Sequence, residues 1–251
     1  MAKTGGLGDR LLVDGLDLSG DVGAIDSISG GPAPLDFTRL SKPAVERIGG
    51  RYDAALTWTS YFNPTGAHLG LSTLPTSSRV VTYLRGGSLG YPGAGLLAKQ
   101  IGYDGKRGSD GAFTLAVAAQ GSHGIPLEWG EQGTPGIRTD TSAANGASLD
   151  HGAATSAGLS AYLHLLAFTG TSVTVKVQHS TDDATWADLA SFTTLSDVGA
   201  ERIETAGTVN RYLRVITTGT FTVATTAVVL CRDGAGSTVD DPYSATYTST
   251  Y

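Results

Sequence analysis

The residues that most resemble a catalytic motif are 86–90 (GGSLG), which match the G-x-S-x-G pattern of a hydrolase nucleophile elbow. In that motif the serine lies on a sharp turn between a strand and a helix, where its hydroxyl can attack an ester. A strand is predicted before the turn, but Tyr91, Pro92 and Gly93 follow where the helix should begin. The long helices of an α/β hydrolase are also missing from the pattern. We therefore expect a glycine-rich turn and no enzyme activity.

Metal and phosphate sites are not indicated either. Asp182-Asp183 is a single acidic pair in turn-forming sequence, which is usually only a turn, and residues 90–95 (GYPGAG) lack the Lys-Ser/Thr of a phosphate loop. The histidines are scattered without the paired spacing of metal ligands. They are His68, His123, His151, His164 and His179. We expect no cofactor and no metal.

The clearest structural signal lies in the last third of the chain. Val173, Val175 and Val177 alternate with polar residues, which is the period-2 pattern of a strand with one buried face. A turn follows, and the chain returns through Trp186, which we expect in the core of a small β-sandwich. The alternative for Trp186 is a platform on which a sugar ring stacks. Cys231 ends the apolar run VVLC and is expected to be a small core residue.

Composition limits the classes of partner. The 251 residues have a net charge of −6, and the charge is uneven. Residues 1–125 contain 11 Lys/Arg and 10 Asp/Glu, whereas residues 126–251 contain 6 and 13. Without clustered Lys/Arg, tight binding to a phosphate backbone is not expected. Because the chain has one cysteine, it cannot form an internal disulfide. It has no apolar run long enough for a membrane span, and its N-terminus lacks the apolar segment of a secretory signal, so we expect neither.

Turn signals and apolar runs predict a mainly β chain in five segments. These are an acidic N-terminal arm (1–30), a β-sandwich or barrel domain with a short helix (31–135), a linker (136–150), a second small antiparallel β-sandwich (151–233) and a polar tail (234–251). In the first domain we predict a helix at 67–74 and strands at 52–62, 79–84, 96–103, 112–119 and 125–129. In the second we predict strands at 159–168, 172–179, 203–205, 212–217 and 221–230.

Two parts of the chain resemble phage virion proteins. Residues 35–64 (LDFTRLSKPAVERIGGRYDAALTWTSYFNP) and 67–86 (AHLGLSTLPTSSRVVTYLRG) are similar in order and spacing to the major tail, or tail tube, proteins of long-tailed (siphovirus-type) actinobacterial phages. This resemblance covers roughly residues 10–130. Residues 150–232, with VTVKVQHSTDDATWADL and RYLRV, look like the discoidin-like or immunoglobulin-like sandwiches appended to phage virion proteins.

The first resemblance implies self-assembly into hexameric rings, whose sheets join into one barrel and which stack into the tube through which DNA passes during ejection. It implies a tail-tube-like fold, other tail proteins as partners, non-specific passage of genomic DNA, and a location in the virion tail after synthesis in the host cytoplasm. The appended sandwich would decorate the tube. The alternative is a carbohydrate-binding or adhesin virion protein that uses the C-terminal sandwich to bind a host surface glycan. Head decoration, tail terminator and minor tail roles share the same composition.

For self-assembly we expect two groups of residues to contribute. The arm has too few apolar residues to fold alone but enough to dock on a neighbour, and its candidates are Leu18, Val22, Ile25 and Ile28. Lys106 and Arg107 form a basic pair at a loop tip, which is either a plain hairpin turn or a subunit contact.

Overall fold

A computed structural model describes residues 5–74 and 77–232. It confirms a mainly β chain with one short helix. The expected polar tail, 234–251, lies outside the described residues. The chain divides into two compact units, and its connectivity interleaves them. The first unit comprises Met1–Gly87 with Gly93–Glu128, and the second comprises Ser88–Pro92 with Trp129–Tyr251.

The first unit is built from short antiparallel strands and the helix. They are β1 (Arg10–Val13), β2 (Leu16–Asp17), β3 (Val22–Ser29), β4 (Pro32–Asp36), β5 (Arg47–Tyr52), β6 (Ala55–Tyr61), α1 (Ala67–Leu71), β7 (Arg79–Leu84), β8 (Pro92–Arg107) and β9 (Phe113–Gly121). The spatial order is β3-β6-β9-β8-β7-β1-β2, while β4 and β5 pair only with each other as a separate two-stranded sheet.

Alternation along β6 produces the core of this unit. Leu56 and Trp58 point inward and are 1% exposed, and Trp58 lies opposite Val117 of β9. The predicted helix is confirmed as α1, which buries Ala67 and Leu71 against the same core. Asp21 fixes the start of α1, because its carboxylate accepts a hydrogen bond from the Ala67 amide at 2.9 Å.

The N-terminal segment differs from the docking arm that its composition predicts. β1 lies between β2 and β7, and Leu11 and Leu12 are fully buried in their own unit. The turn from β1 to β2 places Asp14 at φ 49° and Gly15 at φ 84°, the left-handed pair that a tight hairpin requires. The Asp14-Gly15 pair that interrupts the apolar pattern is therefore a hairpin turn, and the short apolar runs on either side of it enter the sheet.

The second unit is organised around two long strands. Its elements are β10 (Glu128–Gln132), β11 (Arg138–Asp140), β12 (Ala144–Asn145), β13 (Leu149–Asp150), β14 (Leu159–Ser180), β15 (Ala187–Ser191), β16 (Gly199–Thr205) and β17 (Tyr212–Cys231). β14 and β17 form an antiparallel ladder along most of their length. β15 and β16 pair with the other edge of β14, and β10 to β13 pair with the other edge of β17.

Each long strand replaces two predicted ones. Register shifts around Gly170 in β14 let the ladder bend and continue, where the sequence predicts a break between two strands. β17 likewise continues through Gly219, which has φ 122° and pairs with Val173, where the sequence predicts a break between two strands. The core includes Leu163, Val175 and Val228, and the expected burial of Cys231 is confirmed at 1% exposed.

Residues 136–150, for which the composition predicts a linker, contribute β11, β12 and β13 to the edge of β17. Polar side chains make these short strands possible. Arg138 donates to Asp140 at 2.8 Å and to the Val215 carbonyl at 3.0 Å, and Thr217 donates to Asp140 at 2.7 Å. Because polar side chains and an ion pair hold these strands, a prediction based on the number of apolar residues assigns the segment to a linker.

Candidate assembly surface and binding groove

The residues predicted for self-assembly fall into three environments. Leu18 is 1% exposed and belongs to the core of its own unit, so its side chain is unavailable to a neighbour. Val22, Ile25 and Ile28 lie on β3, half-buried against that core. Lys106 and Arg107 lie at the end of β8, where Arg107 is opposite Phe113, and both are exposed. The structure therefore keeps three of the four apolar candidates near the surface.

β3 is an edge strand, because among the described residues it pairs only with β6. Its free edge presents backbone groups that can pair with another strand. Two carboxylates accompany it. Asp26 accepts a hydrogen bond from the Thr59 hydroxyl at 3.0 Å, and Asp21 accepts one from the Asn63 side chain at 2.9 Å. Both partners are uncharged groups, so these hydrogen bonds do not form ion pairs with Asp26 on β3 or with Asp21 just before it.

The hairpin of β4, β5 and their connection (residues 32–52, here called the hairpin) exposes large apolar side chains. Sequence reasoning did not predict these strands, since prolines and glycines dominate them. The pairing is close, because a Cβ at Gly50 would lie 2.8 Å from the Ala33 carbonyl oxygen. Its exposed apolar residues are Leu35, Phe37, Leu40, Val45, Ile48 and Tyr52.

The hairpin and the segment before it have opposite charge. Residues 32–52 contain four Lys/Arg and two Asp/Glu, a net charge of +2. Residues 9–29, which contain β1 to β3, have one arginine and five aspartates, a net charge of −4. Asp9 and Asp14 form ion pairs with Arg85 and Arg79, so Asp21 and Asp26 provide the acidic charge near β3. In a chain of net charge −6 the hairpin is thus a basic element beside an acidic one.

The turn containing Ser88 leads into β8 at Pro92, and not into the helix that a nucleophile elbow requires. Within residues 5–74 and 77–232, no group of three or more His, Cys, Asp or Glu side chains is placed to hold a metal ion. In the same described ranges, no helix has the length and hydrophobicity to cross a membrane.

Trp186 is not in the core of the second unit, and the expectation that it would be is wrong. Its ring is half-buried, and the Arg214 guanidinium carbon lies 4.2 Å from the ring centroid. Gln178 accepts hydrogen bonds from Arg214 at 2.7 and 2.9 Å, which hold the guanidinium over the indole ring. Trp186 therefore packs against a cation on the surface.

A groove of about 570 Å³ opens on the second unit. Its lining residues are Pro92, Trp129, Gly130, Glu131, Asp150, His151, Leu230 and Arg232. Trp129 is 56% exposed, although it lies on β10. A Cβ at Gly130 would meet the Leu230 carbonyl oxygen at 2.2 Å and Cys231 Sγ at 2.6 Å, so β10 lies against β17 with no side chain between them.

Polar groups around this groove are held by short contacts. Arg211 donates to both oxygens of Asp150 at 2.6 Å, and these bonds lower the pKa of Asp150 to about 2. Arg232 donates to the Ala153 carbonyl at 2.7 Å. Glu131 Oε2 lies 3.8 Å from Nδ1 of His151. The groove thus combines one exposed aromatic ring with fixed carboxylate and guanidinium groups, and sequence reasoning identified none of them.

No family model matches the sequence, and no curated protein matches it. Among solved structures, the chain is similar to the SPP1 Dit (gp 19.1) protein, a hub adsorption apparatus protein of phages that infect Gram-positive bacteria. The identity is 10%, the TM-score is 0.32, and the match covers 88% of this chain and 98% of that chain. It is also similar to chains of the phage p2 baseplate in its activated conformation. With strontium the values are 8% identity and TM-score 0.34, and with calcium 9% and 0.33; each covers 90% of this chain and 99% of the other. At these scores the backbones correspond only loosely.

Proposed function

We propose that this chain is a structural protein of a phage tail, in which the first unit joins neighbouring copies into rings. The hairpin is the observation that supports this most strongly. It holds six large apolar side chains at the surface, and Leu40, at its connection, is fully exposed. A lone two-stranded hairpin is marginally stable in water, so an apolar surface of this kind gains stability when a partner covers it.

A second copy of the chain is the partner that the charges favour. The hairpin has a net charge of +2, whereas residues 9–29 have a net charge of −4 in the sequence and about −2 once the ion pairs of Asp9 with Arg85 and Asp14 with Arg79 are counted. Within that acidic segment, β3 offers a free edge, the half-buried Ile25 and Ile28, and the carboxylate of Asp26. The hairpin and the β3 edge are therefore complementary in charge, and both present apolar side chains that a contact would bury.

The contact joins two different surfaces and is therefore head-to-tail. The hairpin follows β3 directly along the chain, separated by Gly30 and Gly31, so each copy has one of each surface. Head-to-tail contacts form a closed ring if the rotation closes and a filament if it does not. The resemblance to tail tube proteins favours closure, with six copies in a ring and rings stacked into a tube in the virion tail.

The remaining charges suit passage of DNA through such a tube. The chain has a net charge of −6, and in this arrangement the neighbouring copy covers the basic hairpin, so DNA phosphates meet few clustered Lys/Arg. Lys106 and Arg107 are the exposed basic pair that remains for a contact between subunits. In this arrangement the second unit decorates the assembly.

The test uses full-length chains with a single changed leucine. Leu40→Asp places a charge on the hairpin, whereas Leu69→Asp changes an exposed leucine of α1 in the same unit and serves as the matched control. By light scattering after size exclusion, we expect Leu69→Asp to assemble like the unmodified chain and Leu40→Asp to remain monomeric. Equal assembly by both variants would exclude the hairpin as the contact.

A mixing experiment tests the head-to-tail geometry. Asp26→Lys reverses a charge on β3 and leaves the hairpin intact, while Leu40→Asp leaves β3 intact. Each variant alone should be monomeric. A mixture should form dimers, because the unchanged hairpin of Asp26→Lys can bind the unchanged β3 edge of Leu40→Asp. A mixture that stays monomeric would contradict this interface.

A further inference from the structure

The groove on the second unit has the size of a small-molecule site. Its volume is about 570 Å³, within the range of roughly 300–1,000 Å³ that is usual for ligand pockets. Two cavities of the first unit have volumes of about 230 and 390 Å³. The groove thus has the volume of a ligand site and contains an exposed aromatic ring, Trp129.

We propose that the groove around Trp129 binds a neutral saccharide. Trp129 supplies a flat apolar surface in a groove that is also lined by Pro92 and Leu230 and by charged residues, and an indole face suits the C–H face of a pyranose ring. The contact between Gly130 and Leu230 leaves no space for a side chain, which fixes the strand that presents this ring.

Hydroxyl groups of a sugar act as donors and acceptors, and the groove offers both. Glu131 and Asp150 accept hydrogen bonds, and Arg232 donates them. The bidentate contact with Arg211 holds Asp150 in one orientation and keeps it ionised. Groups that are fixed before binding lose little entropy on binding.

The charges disfavour other ligand classes. Asp150 is paired with Arg211, and the remaining charged groups, Glu131 and Arg232, are opposite in sign, so the groove has no excess charge that favours a phosphate or a cation. An apolar ligand would leave these charged groups without water or partners. An uncharged ring with polar hydroxyl groups and an apolar C–H face suits both the charged residues of the groove and the apolar ones, Pro92, Trp129 and Leu230.

The experiment measures binding of the full-length chain to an array of defined neutral mono- to tetrasaccharides. The strongest saccharide is then titrated in solution by calorimetry. Trp129→Ala is compared with Trp186→Ala, a matched control that removes the other surface tryptophan of the same unit. We expect Trp129→Ala to weaken binding about tenfold or more and Trp186→Ala to leave it within about twofold.

Two results would overturn the proposal. One is no binding to any saccharide of the array by a folded chain. The other is equal weakening by both tryptophan variants. Partial retention by Trp129→Phe, which keeps an aromatic face, would support the stacking geometry. The groove shares no residue with the hairpin or with β3. Light scattering without saccharide tests the assembly surface, and calorimetry tests the groove, so failure of one proposal can be told from failure of the other.

Discussion

His164 makes the stability of the second unit sensitive to acid. It lies in the middle of β14, opposite Ala227 of β17 and Ala200 of β16, and it is fully buried. Burial disfavours its charged form and lowers its pKa from 6.5 to about 3. The folded chain therefore excludes a proton that the unfolded chain accepts.

The sign and size of the effect follow from this difference in pKa. Above pH 6.5 His164 is neutral in both the folded and the unfolded chain, so its burial adds no dependence on pH. As the pH falls from 6.5 towards 3, only the unfolded chain binds the proton, and the free energy of unfolding decreases by about 1.4 kcal/mol per pH unit. Between pH 7 and pH 5 the free energy of unfolding should decrease by about 2 kcal/mol. His179, whose pKa is also lowered by burial, acts in the same direction.

The assay is urea unfolding followed by tryptophan fluorescence at pH 7 and pH 5. Trp58 is replaced by Phe in every sample, so that Trp129 and Trp186 report on the second unit alone. His164→Gln should remove most of the pH dependence, whereas His179→Gln should remove little of it. A free energy of unfolding that is equal at both pH values, or that decreases as much in His164→Gln, would refute the reasoning.

Two further predictions concern the ladder of the second unit and the assembly surface. Gly219 has φ 122°, and a Cβ there would lie 2.3 Å from the Ser172 carbonyl oxygen, so Gly219→Ala should reduce the free energy of unfolding by about 1–3 kcal/mol. Gly199→Ala, where a Cβ meets nothing within 4 Å, is the control and should change urea unfolding little. Raising NaCl from about 0.1 M to about 1 M shortens the screening length from about 10 Å to about 3 Å, so sedimentation should show smaller assemblies. Larger assemblies in high salt would argue against charge complementarity.

The elements with strong alternation could be predicted from the sequence. β7 has the predicted bounds, Arg79–Leu84, because an apolar run lies between clear turn residues. α1 begins where Pro64 and Thr65 predict a helix start. These features depend on local chemistry, which a single sequence contains.

Features that depend on tertiary pairing could not be predicted in the same way. Gly170 and Gly219 suggest turns, but the neighbouring strands keep pairing and turn them into bends of β14 and β17. Leu18 belongs to an acidic, semi-apolar segment, and only its contacts show that it fills its own core. Pro32 and Pro34 argue against a strand, yet they lie on a free hairpin, where missing amide donors cost little.

The binding groove was missed for a similar reason. Trp129 ends a predicted apolar run, and whether such a residue is core or surface depends on which strand lies beside it. The available signal was the Gly130 that follows it, since a glycine inside a strand often marks close approach of another backbone. Trp186 shows the reverse case, because Arg214 covers its ring from another strand.

Electron microscopy of the purified full-length chain in negative stain tests the central claim most directly. Head-to-tail docking of the hairpin on β3 predicts closed rings with a central hole, and stacks of rings as the concentration rises. Leu69→Asp should give the same images, and Leu40→Asp should give single particles the size of one chain. If the unmodified, folded chain stays monomeric at every concentration, the proposed assembly through these two surfaces is contradicted.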